Sequence, residues 1–322
     1  MNLQKRNNNY LLSIIAPVYN EEGGIQKFRE TIVSVLEKAG INFEILFIND
    51  GSKDDSPLIL GKMAQEDNRL KVINFSRNFG HQLAVSAGFD YAKGDAVVVI
   101  DADLQDPPQV ITGLTEKWLE GYDIVNAVRR SRKDSFIKRM TARLFYKVLN
   151  KMLTYKIPEN VGDFRLIDRK PLEVIKTMRE RDRYIRGMTN WIGFKQSFVE
   201  FDREQRFSGK THYPIRKMLA LGSNALFSFS SLPMKLAHLA FILFSVLAVA
   251  ITGYALAVKF AGLDVPGWTS QMLIIVVFAA IQMFVLAIIS EYVGRIYMQG
   301  QERPLYIVGG TVNIDPPQNA GT

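Results

Sequence analysis

Apolar residues over the first 130 positions follow two alternating rhythms. Short, mostly aliphatic runs at Leu12–Ala16, Glu44–Ile48, Lys71–Phe75, Ala96–Ile100 and Ile124–Val128 read as buried strands. Between them apolar positions recur at helical spacing: Phe28, Ile32, Val35, Leu36 and Ala39 share one face, and Gly40 supplies a stop. Asp55-Ser56-Pro57 opens a second helix with Pro at its tolerated first position, His81–Tyr91 forms a third, and Pro107-Pro108 begins a fourth. Such βαβ alternation predicts an α/β domain, a Rossmann-like, mostly parallel sheet with helices on both faces.

The last third of the chain has a different rhythm. Leu236–Val258 carries no acidic or basic residue apart from His238, and Met272–Ser290 is broken only by Gln282. Each run matches the roughly 20 residues a helix needs to cross a hydrocarbon core. Buried helices of soluble proteins are shorter and keep a polar stripe. Two transmembrane helices, 236–258 and 272–296, are therefore expected. The connector Ala261–Gln271 has no Lys or Arg, whereas Lys210, Arg216, Lys217, Lys235, Arg295 and Arg303 flank the pair. The positive-inside rule then puts both termini in the cytosol. MNLQKRNNNY lacks the apolar core of a signal peptide. The plan is a cytosolic domain over 1–210, a juxtamembrane segment over 211–232, the helix pair over 233–298 and a cytosolic tail over 299–322. Tyr213–Ser231 reads either as an amphipathic segment on the membrane face or as an ordinary connecting helix. RPLYIV (Arg303–Val308) is placed to add an edge strand to the first domain.

Composition narrows the chemistry. A chain without Cys excludes disulfides, zinc–thiolate sites and Cys nucleophiles. The formal charge of +8 points to a polyanionic partner: nucleic acid, anionic lipid or a phosphorylated substrate. The three His residues show no metal-ligand spacing; His81 and His238 read as packing residues, while His212 lies in a basic segment.

Ligands of open parallel sheets bind beyond the carboxyl ends of the strands. There stand PVYNEE (Pro17–Glu22), NDGS (Asn49–Ser52) and DADLQDPP (Asp101–Pro108). Acidic clusters gathered on one edge repel unless a cation or hydrogen-bond donors compensate. A hard divalent ion shared with substrate phosphates meets that need. Asp101-Ala102-Asp103 is its natural seat, because residues two apart on an extended segment face one side. No G-x-G-x-x-G follows the first strand and no G-x-x-x-x-G-K-[ST] occurs, which disfavours dinucleotide-dependent dehydrogenases and P-loop NTPases. Two carboxylates crowded into one D-x-D also suit a metal better than the opposed acid and base of a glycoside hydrolase.

These clusters, with FSRNFGHQLAVSAG, the DFRLIDR segment and the two-span hairpin, resemble the inverting family 2 glycosyltransferases of GT-A fold over nearly the whole chain. The nearer likeness is to the polyprenyl-phosphate branch, which includes dolichol-phosphate mannose synthases and bactoprenol glucosyltransferases. The resemblance implies that Pro17, Tyr19, Asn20 and Glu21 line the nucleobase and ribose, with Asp50 reaching them from the next strand end. Asp101, Asp103 and Asp163 would form the catalytic set. Asp101 would also help hold the sugar nucleotide, and Asp103, Asp101 and Gln105 would ligate Mg2+ or Mn2+. Arg77, Asn78 and Gly80 would close over the nucleotide; a solvated cap is the alternative for Arg77. For the acceptor phosphate the resemblance implies Arg129, with Lys138 and Arg139 on the next helix, and a mobile loop carrying Arg206, Ser208, Gly209 and Lys210. In RFSGKTHY the spacing of that Lys departs from the commoner form. Asp163 is either a base or acceptor-orienting carboxylate, or the ion-pair partner of Arg165 or a neighbouring Arg.

The reaction so implied moves a hexose, glucose from UDP-glucose, to undecaprenyl or another polyprenyl phosphate at the cytosolic face of a bacterial plasma membrane. Mannose, N-acetylglucosamine and a modified arabinose stay open as the sugar. A phosphate monoester, with its second pKa about 6, is a ready nucleophile that needs no strong base. The resemblance also implies a homo-oligomer, a tetramer being the form expected. A processive polysaccharide synthase would bring Q-x-x-R-W and more spans, and a non-catalytic scaffold would have lost its acidic clusters; the sequence fits neither. The acidic rim and the spans also speak against nucleic acid.

Overall fold

Nine elements alternate as the apolar pattern predicts: β1 (Leu11–Val18), α1 (Ile25–Lys38), β2 (Asn42–Asn49), α2 (Ser56–Glu66), β3 (Leu70–Phe75), α3 (His81–Tyr91), β4 (Ala96–Val99), α4 (Val110–Leu119) and β5 (Ile124–Arg129). They belong to a computed structural model that describes residues 6–130, 161–202, 232–261 and 267–314. Beyond them come β6 (Val161–Asp168), α5 (Arg169–Thr177), α6 (Ile185–Trp191), β7 (Gln196–Phe201), two long helices α7 (Leu232–Phe260) and α8 (Trp268–Gly300), and β8 (Val308–Val312). The chain divides into two compact units; α7 and α8 form most of one, and the remaining elements, β8 included, form the other.

Among the described residues the strands make one sheet in the order β7-β5-β6-β4-β1-β2-β3-β8. β1 is parallel to both β2 and β4, β2 to β3, and β5 to β7. β6 runs antiparallel between β4 and β5, and β8 antiparallel along β3. The sheet is mostly parallel, and its inner strand β4 is apolar and buried throughout, as expected of a strand covered on both faces. Phe28, Ile32 and Leu36 of α1 are fully buried in the same core as Leu12, Ile14 and Phe47. Each such side chain contributes about 1.5–3 kcal/mol on burial. Pro17 is tolerated in β1 because it lies past the last β1–β4 pair, Ile15 with Val99, so its missing N–H breaks no bond on that side.

Two features of this topology position the site. β1 has β2 on one side and β4 on the other, so the loops after β1 and β4 diverge and leave a crevice at the switch point. Antiparallel β6 then brings its beginning, not its end, to that same edge: Val99 pairs with Arg165, and Val128 with Val161. Asp163 and Arg129 thus join the edge that carries Asp101.

In the other unit, α7 and α8 pack on each other, with Phe244 edge-on to Phe278 at 6.1 Å. Among the described residues, Val277–Gly300 is long and apolar enough to cross a membrane, with a mean hydropathy of 1.8. The two helices contain the stretches 236–258 and 272–296 expected to span. The edge strand expected at Arg303–Val308 falls slightly later, on Val308–Val312, and Arg303–Ile307 leads into it.

Candidate active site

The loops after β1 and β2 are stitched together. Asn20 adopts a left-handed conformation, φ 55°, which its short polar side chain tolerates. Its amide donates to Ser52 Oγ at 3.0 Å, and its Oδ1 accepts from the Lys53 amide at 2.9 Å. The Glu21 amide donates to Ser56 Oγ, and Glu22 accepts from the Asp55 amide. Tyr19 stays exposed beside them. Tyr19, Asn20 and Glu21 therefore share one braced loop at the switch point, and Pro17 leads into it from the end of β1.

Asp50 is buried, and its carboxylate organises the next loop. Oδ1 accepts from the Phe79 amide at 2.7 Å, while Oδ2 accepts from the Gly80 amide at 2.9 Å and from Asn78 Nδ2 at 3.0 Å. Burial pushes this carboxyl up, against the hydrogen bonds that favour its charge. Gly51, at φ +66°, lets the two loops touch: a Cβ there would lie 2.5 Å from the Arg77 carbonyl carbon. Arg77 is exposed and stacks its guanidinium over the Phe79 ring at 4.0 Å.

The chemistry-bearing cluster lies across β4 and β6. His81, the first residue of α3, sets Nε2 3.5 Å from Asp163 Oδ2 and 3.8 Å from Asp101 Oδ1. Burial alone would lower the imidazole, but the hydrogen bond to Asp163 and the charges of both carboxylates push it up to about 9. Arg186 of α6 clasps Asp163 from the other side, Nε to Oδ1 at 2.8 Å and Nη2 to Oδ2 at 3.0 Å. Despite burial, Arg186 and His81 hold the Asp163 carboxyl well below the usual range. Asp101 behaves oppositely: burial and the neighbouring Asp163 and Asp103 carboxylates push it up, against His81 and Arg129.

His81 is therefore not a packing residue. Its partners lie far along the chain, so spacing conceals the site, although its place just after β3 obeys the same strand-end rule as the acidic clusters. Asp163 pairs with a neighbouring Arg, namely Arg186; the buried Arg165 donates instead to Thr189 Oγ1 and the Gly162 carbonyl. The side chain of His238 and all of His212 lie outside the described residues.

Asp103 turns its own loop, Oδ1 accepting from the Gln105 amide at 3.1 Å. Between them Leu104 takes φ 57°, a conformation costing a residue with a Cβ about 1–2 kcal/mol. Among the described residues no group of three or more His, Asp or Glu converges on one point as a self-sufficient metal site. The hard oxygen donors of Asp101, Asp103 and Gln105, with the raised Asp101 carboxyl, fit a divalent ion whose remaining ligands come from substrate phosphates.

Arg129, at the end of β5, leans its Nη2 toward the buried Asp106 at 3.4 Å and lines Gly162. Its buried Nε has no hydrogen-bond partner among the described residues. Lys138, Arg139, Arg206, Ser208, Gly209, Lys210 and the segment 211–231 lie outside the described residues.

A mostly parallel α/β sheet with a D-x-D just past β4, at its switch point, is the frame on which this chain's family builds a glycosyltransferase domain. The family described as "Glycosyl transferase family 2" matches residues 13–176, and this chain belongs to that family. An uncharacterized glycosyltransferase, YkcC, of Bacillus subtilis is 46% identical over 94% of this chain and 94% of its own length. A prophage bactoprenol glucosyl transferase homolog of Escherichia coli is 40% identical over 92% of this chain and 98% of its own. The bactoprenol glucosyl transferase of Shigella phage SfV is 38% identical over 92% of this chain and 97% of its own.

Proposed function

We propose that this chain transfers glucose from UDP-glucose, with inversion, to the phosphate of undecaprenyl or another polyprenyl phosphate. The observation that carries the reading is similarity to bactoprenol glucosyl transferases across 92% of the chain, α7 and α8 included. The Asp101–His81–Asp163 cluster at the switch point supports it.

Pro17, Tyr19, Asn20 and Glu21 face the nucleoside, and Asp50 acts there mainly through the Asn78–Gly80 loop it orders, with Arg77 at the rim. Asp101, Asp103 and Gln105 would hold Mg2+ or Mn2+, which when bound offsets the charge of the departing diphosphate. Arg129, Lys138, Arg139, Arg206 and Lys210 attract and orient the acceptor phosphate. A phosphate oxygen attacks the anomeric carbon opposite the leaving group; the new C–O bond forms as the bond to UDP breaks, and UDP departs with the electron pair. Alignment of the two substrates supplies much of the acceleration. A carboxylate held ionised by Arg186 and His81 is a weak base, so Asp163 orients rather than deprotonates, which suffices for an acceptor with second pKa about 6. α7 and α8 both span the bacterial plasma membrane and keep the catalytic unit and both termini cytosolic. The active form is a homo-oligomer, a tetramer in this reading.

Purified protein in detergent, given labelled UDP-glucose, undecaprenyl phosphate and Mg2+, is expected to move label into the organic phase. Asp103→Ala should abolish this without unfolding the protein. Label from GDP-mannose alone would reassign the donor; no transfer from any donor would favour a non-catalytic scaffold.

A further inference from the structure

The segment that follows α8 returns to the loop between β3 and α3, the loop that Asp50 also holds. Tyr306 stacks on Phe75, ring centroids 5.1 Å apart and planes 16° from parallel. Phe75 meets Phe79 edge-on at 5.5 Å, and the Phe79 amide is the donor to Asp50 Oδ1. The Tyr306 hydroxyl donates to Asp90 Oδ2 at 2.7 Å, and Arg179 chelates the same carboxylate, tying the segment to the far end of α3. The Ser76 amide donates to the Ile307 carbonyl at 3.0 Å, one residue before Arg77. Burial, then the charge and hydrogen bond of Asp90, push the Tyr306 phenol up, so it stays a neutral donor across the working pH range.

The loop Ser76–Gly80 is thus gripped on two sides. Asp50 and Gly51 hold it from β2, and the ring stack of Tyr306, Phe75 and Phe79 holds it from the C-terminal segment. Without the second grip, Phe79 loses the ring that backs its neighbour, and the backbone amides aimed at Asp50 lose a fixed position. We infer that Tyr306 is a positioning residue for donor binding: the C-terminal segment, arriving after the last long helix, completes the nucleotide loop. The inference rests on the nucleotide-sugar reading of the site.

The test uses the full chain in detergent, with Tyr306→Ala and Tyr306→Phe. Hydrogen exchange of the peptide covering 76–81 should quicken by about tenfold in Tyr306→Ala, the size expected when an aromatic stack is lost. Exchange in β4 should not change. The dissociation constant for UDP and KM for UDP-glucose should rise about tenfold, with KM for the lipid unchanged. Tyr306→Phe keeps the stack and should restore most of both. Unchanged exchange, or unchanged UDP affinity in Tyr306→Ala beside a wild type that binds UDP, overturns the inference. Wild-type protein that binds no UDP contradicts instead the donor reading beneath it.

Discussion

Arg186 grips Asp163 through two parallel hydrogen bonds of 2.8 and 3.0 Å, and that grip decides what Asp163 can do. Bidentate Arg–carboxylate pairs are strong and geometrically fixed, and they lower the basicity of the carboxylate. The acid limb of the pH–rate profile should therefore report the acceptor phosphate, near pH 6, and not Asp163. Asp163→Asn is expected to slow transfer while leaving that limb in place. Loss of the limb in the variant would make Asp163 the base after all.

His81 touches both carboxylates, so removing it should cost catalysis more than folding. With a hydrogen bond to the Asp163 carboxylate and an ion pair to Asp101 at stake, His81→Ala should lower kcat/KM by about 10- to 100-fold. Its side chain keeps 40% of its surface accessible, so solvent screens the pairs and Tm should fall only modestly beside the loss of catalysis. Steady-state kinetics beside a thermal melt separate the two effects.

Gly51 faces two penalties on substitution. A left-handed backbone at φ +66° disfavours any Cβ, and this one would meet Arg77 and Asn78 backbone atoms within 2.9 Å. Gly51→Ala should destabilise the sheet unit by about 2–4 kcal/mol, read by denaturant titration.

Glu44 carries a pH-dependent part of the stability. Burial pushes its carboxyl up, but hydrogen bonds from Lys71, Ser13 and the Lys93 amide outweigh that and hold it below its ordinary value. A carboxyl lowered on folding adds stability above its unfolded pKa, about 4.3, and loses it as pH falls through the folded value. Denaturation midpoints measured down through that range should drop more steeply for the wild type than for Glu44→Gln.

The first nine elements are legible in the sequence because parallel βαβ units repeat one pattern: a short aliphatic run, a loop, then a helix with one apolar face. β6 breaks the pattern. It is antiparallel, so its functional residue sits at its start, and its apolar run is interrupted by Arg165, which is buried only because Thr189 and the Gly162 carbonyl satisfy it. The gathering of Asp101 and Asp163 around His81, with Arg186 on the far side of Asp163, is a product of topology, since no local spacing links α3, the loop after β4, β6 and α6. The Asp101-Ala102-Asp103 motif, by contrast, is local and stands where the strand-end rule puts it.

In the proposed reaction a hexose, not a sugar phosphate, passes to a lipid phosphate with inversion. Intact-mass and NMR analysis of the lipid made from UDP-glucose and undecaprenyl phosphate tests it most directly. The expected product is undecaprenyl phosphate plus one hexose, of anomeric configuration opposite to the donor, with UDP released in equal amount. A lipid diphosphate sugar with release of UMP, or a product that retains the donor's configuration, would contradict it.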